Sequence, residues 1–436
     1  MRKLKNILLL SSILIITVAF DFKDNPPSGW YQQFLPNING RQIADMTFID
    51  SITGYIVTTR LASPDTSYIL KTTDGGDNWN IVLRGPTNTI GGFNNIQFIN
   101  SQTGFACGNF LWKTTNAGIN WFNINTSGAF PEHMHVLNQD TIWIIDSESL
   151  TGGVYRTTNG GTNWVRQLSL GSQNPTNIYF YNKDIGYTAS SVMYKTTNGG
   201  VNWFNTNQTG FADMQFINET TGWKCYGPMQ KTTNGGLSWV TQTLPSGNYI
   251  SLAQISSFSV LNKDTIWGCN GNVTYPNGQS RGMIYTTTNG GNNWLYQVPD
   301  TSINIYRYYH IQFINKSCGW AYAVNKGIHT KVGGDPLTLI NYTASQIPKQ
   351  YYLYQNYPNP FNPGTSIAYQ ISTAGDVNIK VYDIGGKEIT TLVNQKKNAG
   401  SYEVRFYAFN LSSGIYFYAL SVDGTTVQTK KMMLVK

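Results

Sequence analysis

KTTDGGDNW at residues 71–79 recurs, with small changes, five more times along the chain. The other copies are KTTNAGINW (113–121), RTTNGGTNW (156–164), KTTNGGVNW (195–203), KTTNGGLSW (231–239) and TTTNGGNNW (286–294). Their tryptophans are 42, 43, 39, 36 and 55 residues apart, close to the roughly 40–50 residues of a four-stranded propeller blade. Because one such unit cannot bury its apolar face alone, the repeats must stack on one another. The pattern therefore predicts a β-propeller.

The local chemistry of each copy predicts a hairpin turn. Asn-Gly and Asp-Gly accept the positive φ of tight turns, and the preceding threonines favour strands. An Asp or Asn side chain at this place can hydrogen-bond the backbone of its own turn. We therefore expect a structural role here rather than ligand binding. The residues concerned are Asp74, Asn116, Asn159, Asn198, Asn234 and Asn289.

A second pattern, an apolar alternating run followed by a turn and another strand, accompanies the repeats. It occurs seven times, from MTFIDSITGYIV (46–57) to IQFINKSCGWAY (311–322), whereas the tryptophan turn occurs six times. The missing strand is expected near the N-terminus, where GWYQQFLP (29–36) resembles the strands after the other turns. Closing the ring with both termini leaves no open sheet edge. We predict seven blades, with Trp30 in the outer strand of the seventh; the alternative is an N-terminal linker.

Both ends of the chain differ from the repeats. Residues 1–19 combine basic residues, an apolar run and small residues, which is the pattern of a cleaved signal peptide. Residues 20–335 are then the propeller, and 336–352 a linker. Residues 353–436 alternate strands with Gly- and Asn-rich turns, which predicts a small immunoglobulin-like β-sandwich. No later apolar run in the sequence is long enough for a membrane span. The predicted fold class is all-β.

The C-terminal segment resembles the sorting domain of type IX secretion cargo. The matching stretches are QNYPNPFNP (355–363), VYDIGGKEI (381–389), SGIYFY (413–418) and KKMMLVK (430–436). The resemblance implies that the type IX secretion machinery of a Gram-negative bacterium is a partner of this chain. It also implies export across the outer membrane, removal of the domain, and release or anchoring at the cell surface.

Charge and cysteine usage exclude some classes of function. Residues 20–352 hold 19 Lys and Arg against 17 Asp and Glu, a net charge of +2 within the +8 of the whole chain. A nucleic-acid-binding domain needs a basic face, so no nucleic-acid partner is expected. Cys107, Cys225 and Cys269 take the same place in their blades and are expected to be small buried fillers; a Cys225–Cys269 disulfide is the alternative. The spacing predicts no metal site, and no cofactor is expected.

The propeller repeat carries a second resemblance. TTDGGxxW is similar to the Asp-box of bacterial neuraminidase repeats. Together with its hairpin it resembles the photosystem II stability and assembly factor family, over roughly residues 29–335. That resemblance implies a seven-bladed propeller acting as a non-catalytic scaffold. Because Asp-box turns recur in folds with unrelated functions, it implies binding but no particular ligand.

A ring of polar residues is the candidate ligand site at the mouth of the channel, where the innermost strands begin. The alternative interpretation is that these residues cap strand starts and hydrate the channel. The segment NIYRYYH (304–310) adds Tyr306, Arg307, Tyr308 and Tyr309, whose rings and guanidinium would suit a glycan; a packed rim is the alternative. The ring consists of Asp45, Asn95, His133, Asn177, Asp213, Ser257 and His310.

Glycan hydrolysis is the enzymatic alternative. Glycosidases need two carboxylates about 5–5.5 Å apart for retention or about 6.5–9.5 Å for inversion, and Asp45 and Asp213 are the pair that the ring offers a xyloglucanase-like mechanism. A sialidase needs clustered arginines, which the sequence does not suggest. The main prediction is a secreted or surface-bound, non-catalytic propeller that binds a glycan or a protein. A glycoside hydrolase (sialidase- or xyloglucanase-like) and a structural adhesion component are the alternatives.

Overall fold

The computed structural model describes residues 29–59, 66–85, 92–146, 152–170, 175–247, 249–300, 302–334 and 350–435. The predicted signal peptide and most of the predicted linker lie outside these residues. In chain order, the strands before residue 335 are β1 (Tyr31–Phe34), β2 (Ile43–Phe48), β3 (Gly54–Thr58), β4 (Tyr68–Thr72), β5 (Asn80–Arg84), β6 (Asn95–Phe98), β7 (Gly104–Gly108), β8 (Phe110–Thr114), β9 (Phe122–Ile124), β10 (Pro131–Val136), β11 (Ile142–Asp146), β12 (Gly153–Thr157), β13 (Val165–Leu168), β14 (Asn177–Phe180), β15 (Gly186–Ala189), β16 (Val192–Thr196), β17 (Phe204–Thr209), β18 (Asp213–Phe216), β19 (Gly222–Cys225), β20 (Met229–Thr232), β21 (Val240–Thr241), β22 (Ile250–Leu252), β23 (Ser257–Val260), β24 (Ile266–Thr274), β25 (Ser280–Thr287), β26 (Leu295–Gln297), β27 (His310–Phe313), β28 (Gly319–Tyr322) and β29 (Lys326–Thr330).

These strands form seven antiparallel sheets arranged as the blades of a propeller. Blades 1 to 5 are β2–β5, β6–β9, β10–β13, β14–β17 and β18–β21, blade 6 is β22–β26, and blade 7 is β27–β29 with β1 as its outermost strand. The innermost strand of each blade contacts that of the next, and β27 contacts β2. The ring of blades is therefore closed. We call the end of the channel where the innermost strands begin the entry face, and the opposite end, which carries the Asp-box turns, the turn face.

Each Asp-box turn is held by its own threonine and Asx side chains. In blade 1, Thr72 Oγ1 donates to Asp74 Oδ1 at 2.8 Å and accepts from Gly76 N at 2.9 Å. Asp74 Oδ1 also accepts from Asn78 N at 2.9 Å, while Gly75 and Gly76 take φ values of 74° and 95°. The same three bonds recur in the turns of blades 2 to 6. The six Asx side chains thus stabilise the turns that contain them.

The lysine that opens the repeat ties one blade to the next. Lys71 Nζ and Tyr55 Oη of blade 1 both donate to Ala117 O, in the turn of blade 2, at 2.8 Å. Lys195 and Tyr187 of blade 4 make the same pair of bonds to Gly235 O of blade 5. These bonds satisfy a turn carbonyl that would otherwise be left unpaired between blades.

Aromatic side chains fill the spaces between blades. Phe98 of blade 2 stacks on Tyr55 of blade 1, with ring centroids 3.9 Å apart, and Phe48 of blade 1 stacks on Trp320 of blade 7 at 3.7 Å. A Cβ atom added at Gly104 would lie 2.5 Å from the Phe98 ring. The glycine that begins the second strand therefore makes room for the phenylalanine of the innermost strand.

The strand Tyr31–Phe34 pairs in register with β29, from Tyr31 opposite His329 to Phe34 opposite Lys326. Trp30, directly before this strand, is fully buried. Its ring meets Phe313 edge-on, with centroids 5.9 Å apart, as Trp79 meets Phe48 in blade 1. Trp30 thus occupies in blade 7 the place of the Asp-box tryptophan.

The C-terminal residues form two antiparallel sheets around their own core. The strands are β30 (Tyr352–Leu353), β31 (Gly364–Ile371), β32 (Gly375–Tyr382), β33 (Glu388–Lys397), β34 (Gly400–Tyr407), β35 (Gly414–Val422) and β36 (Thr425–Leu434). The strand orders are β30-β31-β34 and β33-β32-β35-β36, and Ile367, Phe406, Val381 and Tyr418 belong to one buried cluster between them. None of the described residues forms a helix that could cross a membrane.

Candidate binding site at the channel mouth

The seven predicted ring residues all lie at or near the start of an innermost strand. Alternation along these strands sends the next residue into the packed space between blades, where Met46, Ile96 and Met214 are buried. Side chains two positions further on share the face of the ring residues and form a second polar ring. That second ring consists of Thr47, Gln97, His135, Tyr179, Gln215, Ser259 and Gln312.

Asp45 uses both carboxylate oxygens as hydrogen-bond acceptors. Oδ2 accepts from Asn95 Nδ2 at 2.6 Å and from Ile96 N at 2.9 Å, both in blade 2. Oδ1 accepts from Met46 N at 2.8 Å. The carboxylate therefore joins the innermost strands of blades 1 and 2.

Other ring residues also reach toward the following blade. Asn95 Oδ1 accepts from Met134 N at 3.4 Å, Asn177 Nδ2 donates to Ala212 O at 2.5 Å, and Ser257 Oγ accepts from Ile311 N at 3.4 Å. Asp213 Oδ2 accepts from Phe258 N at 3.1 Å. His310 hydrogen-bonds with the backbone of Ile43 and so spans the junction between blades 7 and 1.

Glutamines of the second ring make a paired version of the same bond. Gln97 accepts from Val136 N at 2.9 Å and donates to Val136 O at 2.8 Å. Gln312 accepts from Phe48 N at 2.7 Å and donates to Phe48 O at 2.9 Å, across the junction where the ring closes. These side-chain bonds join the innermost strands of neighbouring blades. Those strands belong to separate sheets and are not paired with one another through their backbones.

Burial in the channel shifts the pKa of the acidic ring residues upward. It raises the pKa of Asp45 to about 6, against hydrogen bonds from Ile96, Met46 and Asn95 that lower it. Burial also raises the pKa of Asp213 to about 6, and the charge of Asp45 adds to this rise. Burial is therefore the main cause of both shifts.

The ring histidines shift in the opposite direction. Burial lowers the pKa of His310 to about 4 and also lowers the pKa of His133. At neutral pH both imidazoles are uncharged, so the two ring carboxylates face no histidine cation.

A cluster of aromatic residues lies on the same face, at blades 6 and 7. Blade 6 has a hairpin that extends beyond the sheet, because β24 and β25 are 9 and 8 residues long and β22 is added along β24. The rings of Tyr249 and Tyr275 meet there with centroids 5.7 Å apart. Arg307 lies 5.1 Å from the Tyr306 ring centre and donates to Asn272 Oδ1 at 3.4 Å. More than half the surface of Tyr249 and Tyr306 is exposed.

The prediction that Tyr306, Tyr308 and Tyr309 present their rings to a ligand is wrong at Tyr308. Its side chain is buried beside Ile303, Ile305 and Ile311 in the core between blades 6 and 7. Tyr306 and Tyr309 are exposed, so the segment before β27 does not keep the regular alternation of a strand. Tyr308 is therefore a core residue, while Tyr306 and Arg307 remain at the surface.

Arginine and cysteine side chains serve packing. Buried Arg41 lies 4.1 Å from the Tyr68 ring centre and donates to Ile38 O. Arg281 donates to the backbone oxygens of Pro299 and Asp300. Cys107, Cys225 and Cys269 are buried free thiols. Within the described ranges, no three His, Cys, Asp or Glu side chains are grouped so that they could hold a metal ion.

Comparison with known families agrees with this architecture. Residues 25–321 match the model of the photosynthesis system II assembly factor YCF48. The chain belongs to the YCF48 family. Residues 355–436 match the secretion system C-terminal sorting domain, which indicates export through the type IX system to the cell surface or beyond. None of the curated proteins compared matches the chain.

Solved structures show the same fold at low identity. A YCF48 bound to a D1 peptide has a TM-score of 0.50 and 18% identity, and covers 69% of this chain and 96% of its own. The YCF48 of Cyanidioschyzon merolae has a TM-score of 0.51 and 17% identity, and covers 69% and 98%. A GH74 xyloglucanase of Xanthomonas campestris has a TM-score of 0.51 and 10% identity, and covers 78% and 59%. At these identities the likeness concerns the fold alone.

Sequence reasoning missed two features of this YCF48-family propeller. The first is the second polar ring, whose signal was the Gln in IQF (96–98), MQF (214–216) and IQF (311–313). The second is the extended hairpin of blade 6, whose signal was the 55-residue step between Trp239 and Trp294. The insertion that lengthens this step builds the surface on which Tyr249 and Tyr275 lie.

Proposed function

We propose that this protein is an exported, non-catalytic propeller that binds a protein or glycan ligand on its entry face and acts as a scaffold. The observation that carries the proposal is the use of the ring side chains. Asp45 already accepts three N–H groups. Five further ring residues are hydrogen-bonded to the next blade: Asn95, Asn177, Asp213, Ser257 and His310. The ring side chains therefore stabilise the propeller, whereas the exposed Tyr249 and Tyr306 beside the ring can contact a ligand.

The aromatic cluster has the chemistry of a recognition surface. Tyrosine offers a large apolar face and a hydroxyl at low cost in conformational entropy, and it is enriched where proteins bind other molecules. The Arg307 guanidinium adds planar donors that suit carboxylate or amide oxygens. Both a polypeptide and a glycan fit these groups. The peptide-bound YCF48 structure favours a polypeptide.

Hydrolysis is the second candidate, because burial raises the pKa values of Asp45 and Asp213 to about 6. A carboxyl group with such a pKa is suited to general acid catalysis. Against it stand the hydrogen bonds that occupy both oxygens of Asp45. A structural adhesion role would need no ligand on the entry face.

Binding of the full chain to peptide and polysaccharide arrays tests the proposal. The variant Tyr249→Ala/Tyr306→Ala removes the exposed rings, and Phe130→Ala removes an exposed ring that precedes the innermost strand of blade 3. We expect binding by the wild type and the Phe130 variant, and at least a tenfold loss in the double variant, about 1.4 kcal/mol or more. No binding to either array, or equal binding by all three proteins, would contradict the proposed site.

A further inference from the structure

A cavity of about 1020 Å³ is lined by the turn face of blades 6 and 7 and by the C-terminal domain. The propeller wall includes residues 262–265 after β23, Lys316 after β27 and residues 331–334 after β29. The C-terminal wall includes residues 362–366 before and within β31, and the end of β34. Ligand sites have volumes of about 300–1,000 Å³, so the cavity has the size of a binding site.

The charged side chains that line the cavity are mostly cations. Four are basic and one is acidic: Lys263, Lys316, Lys331 and Arg405 against Asp264. Lys263 pairs with Asp264 at 2.9 Å. Among the described residues, Lys316 and Lys331 form no salt bridge. The cavity therefore has an excess of positive charge, which attracts an anionic ligand.

Arg405 brings a cation of the C-terminal domain close to the propeller. Hydrogen bonds from Ser302 lower the pKa of Asp300, and the charges of Arg281 and Arg405 lower it further, against burial that raises it. Asp300 lies outside the cavity walls. Even with this carboxylate counted, the cations around the cavity outnumber the carboxylates by four to two.

The C-terminal wall also carries three exposed aromatic rings. Tyr357, Tyr407 and Phe409 expose 79%, 42% and 65% of their surface. The rings of Tyr407 and Phe409 are nearly parallel, with an interplanar angle of 6° and centroids 5.6 Å apart. A Cβ atom added at Gly364 would lie 2.8 Å from the Tyr407 ring, so this ring rests on the backbone of β31. The wall thus presents flat apolar surfaces beside the cations.

We infer that this cavity binds an acidic oligosaccharide, at a site separate from the proposed entry-face site. The C–H groups on the faces of sugar rings pack on aromatic rings, and successive sugars suit the adjacent rings of Tyr407 and Phe409. Lysine and arginine donate charge-assisted hydrogen bonds to carboxylates. An acidic peptide would satisfy the cations but has no use for the paired rings. Because both domains build the site, loss of the C-terminal domain would abolish it.

Calorimetric titration of the full chain with a galacturonic acid tetramer tests the inference. The variant Lys316→Ala/Lys331→Ala removes two cations from the propeller wall. The variant Arg405→Ala/Phe409→Ala removes a cation and a ring from the C-terminal wall. All four positions are exposed, so circular dichroism should show folded protein. A neutral maltose-type tetramer and a glutamic acid tetramer are titrated as comparison probes.

The matched control is Lys183→Ala/Lys396→Ala, which removes one exposed cation outside the cavity from each domain. At about 0.15 M salt, where exposed charges are screened beyond about 8 Å, we expect the wild type and the control to bind the acidic sugar equally. Each cavity variant should bind it at least tenfold more weakly, and the neutral tetramer should not bind.

Absence of binding by the wild type would overturn the inference, as would an equal loss in the control or a loss confined to one wall. Tighter binding of the glutamic acid tetramer would show that the cavity takes an acidic peptide instead. The Tyr249→Ala/Tyr306→Ala variant should bind the acidic sugar as the wild type does. A loss in that variant would place the acidic sugar on the entry face and contradict a separate site.

Discussion

Trp30 Nε1 donates a hydrogen bond to Gln297 Oε1 at 2.7 Å, although 267 residues separate the two in the chain. The bond joins the segment before β1 to the outermost strand of blade 6. Trp30 also packs edge-on against Phe313 of blade 7. One side chain from the beginning of the propeller thus stabilises the two blades at its end.

Trp30→Ala should destabilise the propeller by about 3–5 kcal/mol, the usual cost of truncating a buried aromatic residue. The closing strand would lose its anchor as well as the hydrogen bond to Gln297. Denaturant unfolding of the full chain measures the effect. Phe34→Ala, an exposed position in the same strand, should change stability by no more than about 0.5 kcal/mol; equal losses in both variants would refute the role given to Trp30.

Gly104→Ala should destabilise the protein by about 1–3 kcal/mol, the range for overpacking a filled core. The new Cβ would lie 2.5 Å from the Phe98 ring, which is held against Tyr55. Gly414→Ala is the control, because its Cβ would meet no atom closer than 4.0 Å. Thermal unfolding of both variants decides the matter, and an unchanged melting temperature in Gly104→Ala would contradict the packing described.

The contribution of the channel carboxylates Asp45 and Asp213 to stability should depend on pH in a defined direction. Their folded pKa values of about 6 lie above the ordinary value of 3.8. Between these values the folded state binds more protons than the unfolded state, so their contribution to the free energy of unfolding rises as pH falls. The free energy of unfolding of the wild type minus that of Asp45→Asn/Asp213→Asn should therefore increase from pH 7 to pH 4.

Asp74 provides a comparison of opposite sign. Burial raises its pKa, but hydrogen bonds from Asn78 and Thr72 outweigh this and leave the pKa lowered. The wild type minus Asp74→Asn difference should consequently decrease with acid. If the wild type minus variant difference in unfolding free energy changed in the same direction for Asp74→Asn and for Asp45→Asn/Asp213→Asn, the pKa values of the channel carboxyls would not be shifted as described.

Asn356→Ala should destabilise the C-terminal domain by roughly 1–3 kcal/mol, because buried partners would be left unpaired. Its Nδ2 donates to Pro358 O at 3.0 Å and to Thr365 Oγ1 at 2.9 Å, and so holds the QNYPNPFNP segment against β31. We expect less protein in the medium of the secreting host. Asn394→Ala, at an exposed site, should be exported normally. Normal export of Asn356→Ala would show that secretion does not depend on how this segment is held.

The repeats made the fold predictable because their turn chemistry is local. Thr72, Asp74 and Gly76 interact within five residues, so the hairpin could be predicted from the local sequence. Trp30 could be assigned because GWYQQFLP resembles the other strands that follow a turn.

The candidate site was less predictable, since its bonds join separate blades. The bond from Asp45 to Ile96 spans 51 residues, and nothing in the sequence says that this side chain turns toward the next blade. Tyr308 was misplaced because NIYRYYH does not show which side of the entering segment faces the core. Likewise, six similar tryptophans gave no sign that those of blades 2 to 5 are partly exposed.

An assay of product release beside binding distinguishes a non-catalytic propeller from a glycoside hydrolase. The full chain and its Asp45→Asn/Asp213→Asn variant would be incubated with every polysaccharide that the array retains, and new reducing ends would be counted over time. We predict no release by either protein, with ligand binding that the carboxyl substitutions leave intact. Release by the wild type that the double variant lacks would contradict it and identify the protein as a glycoside hydrolase.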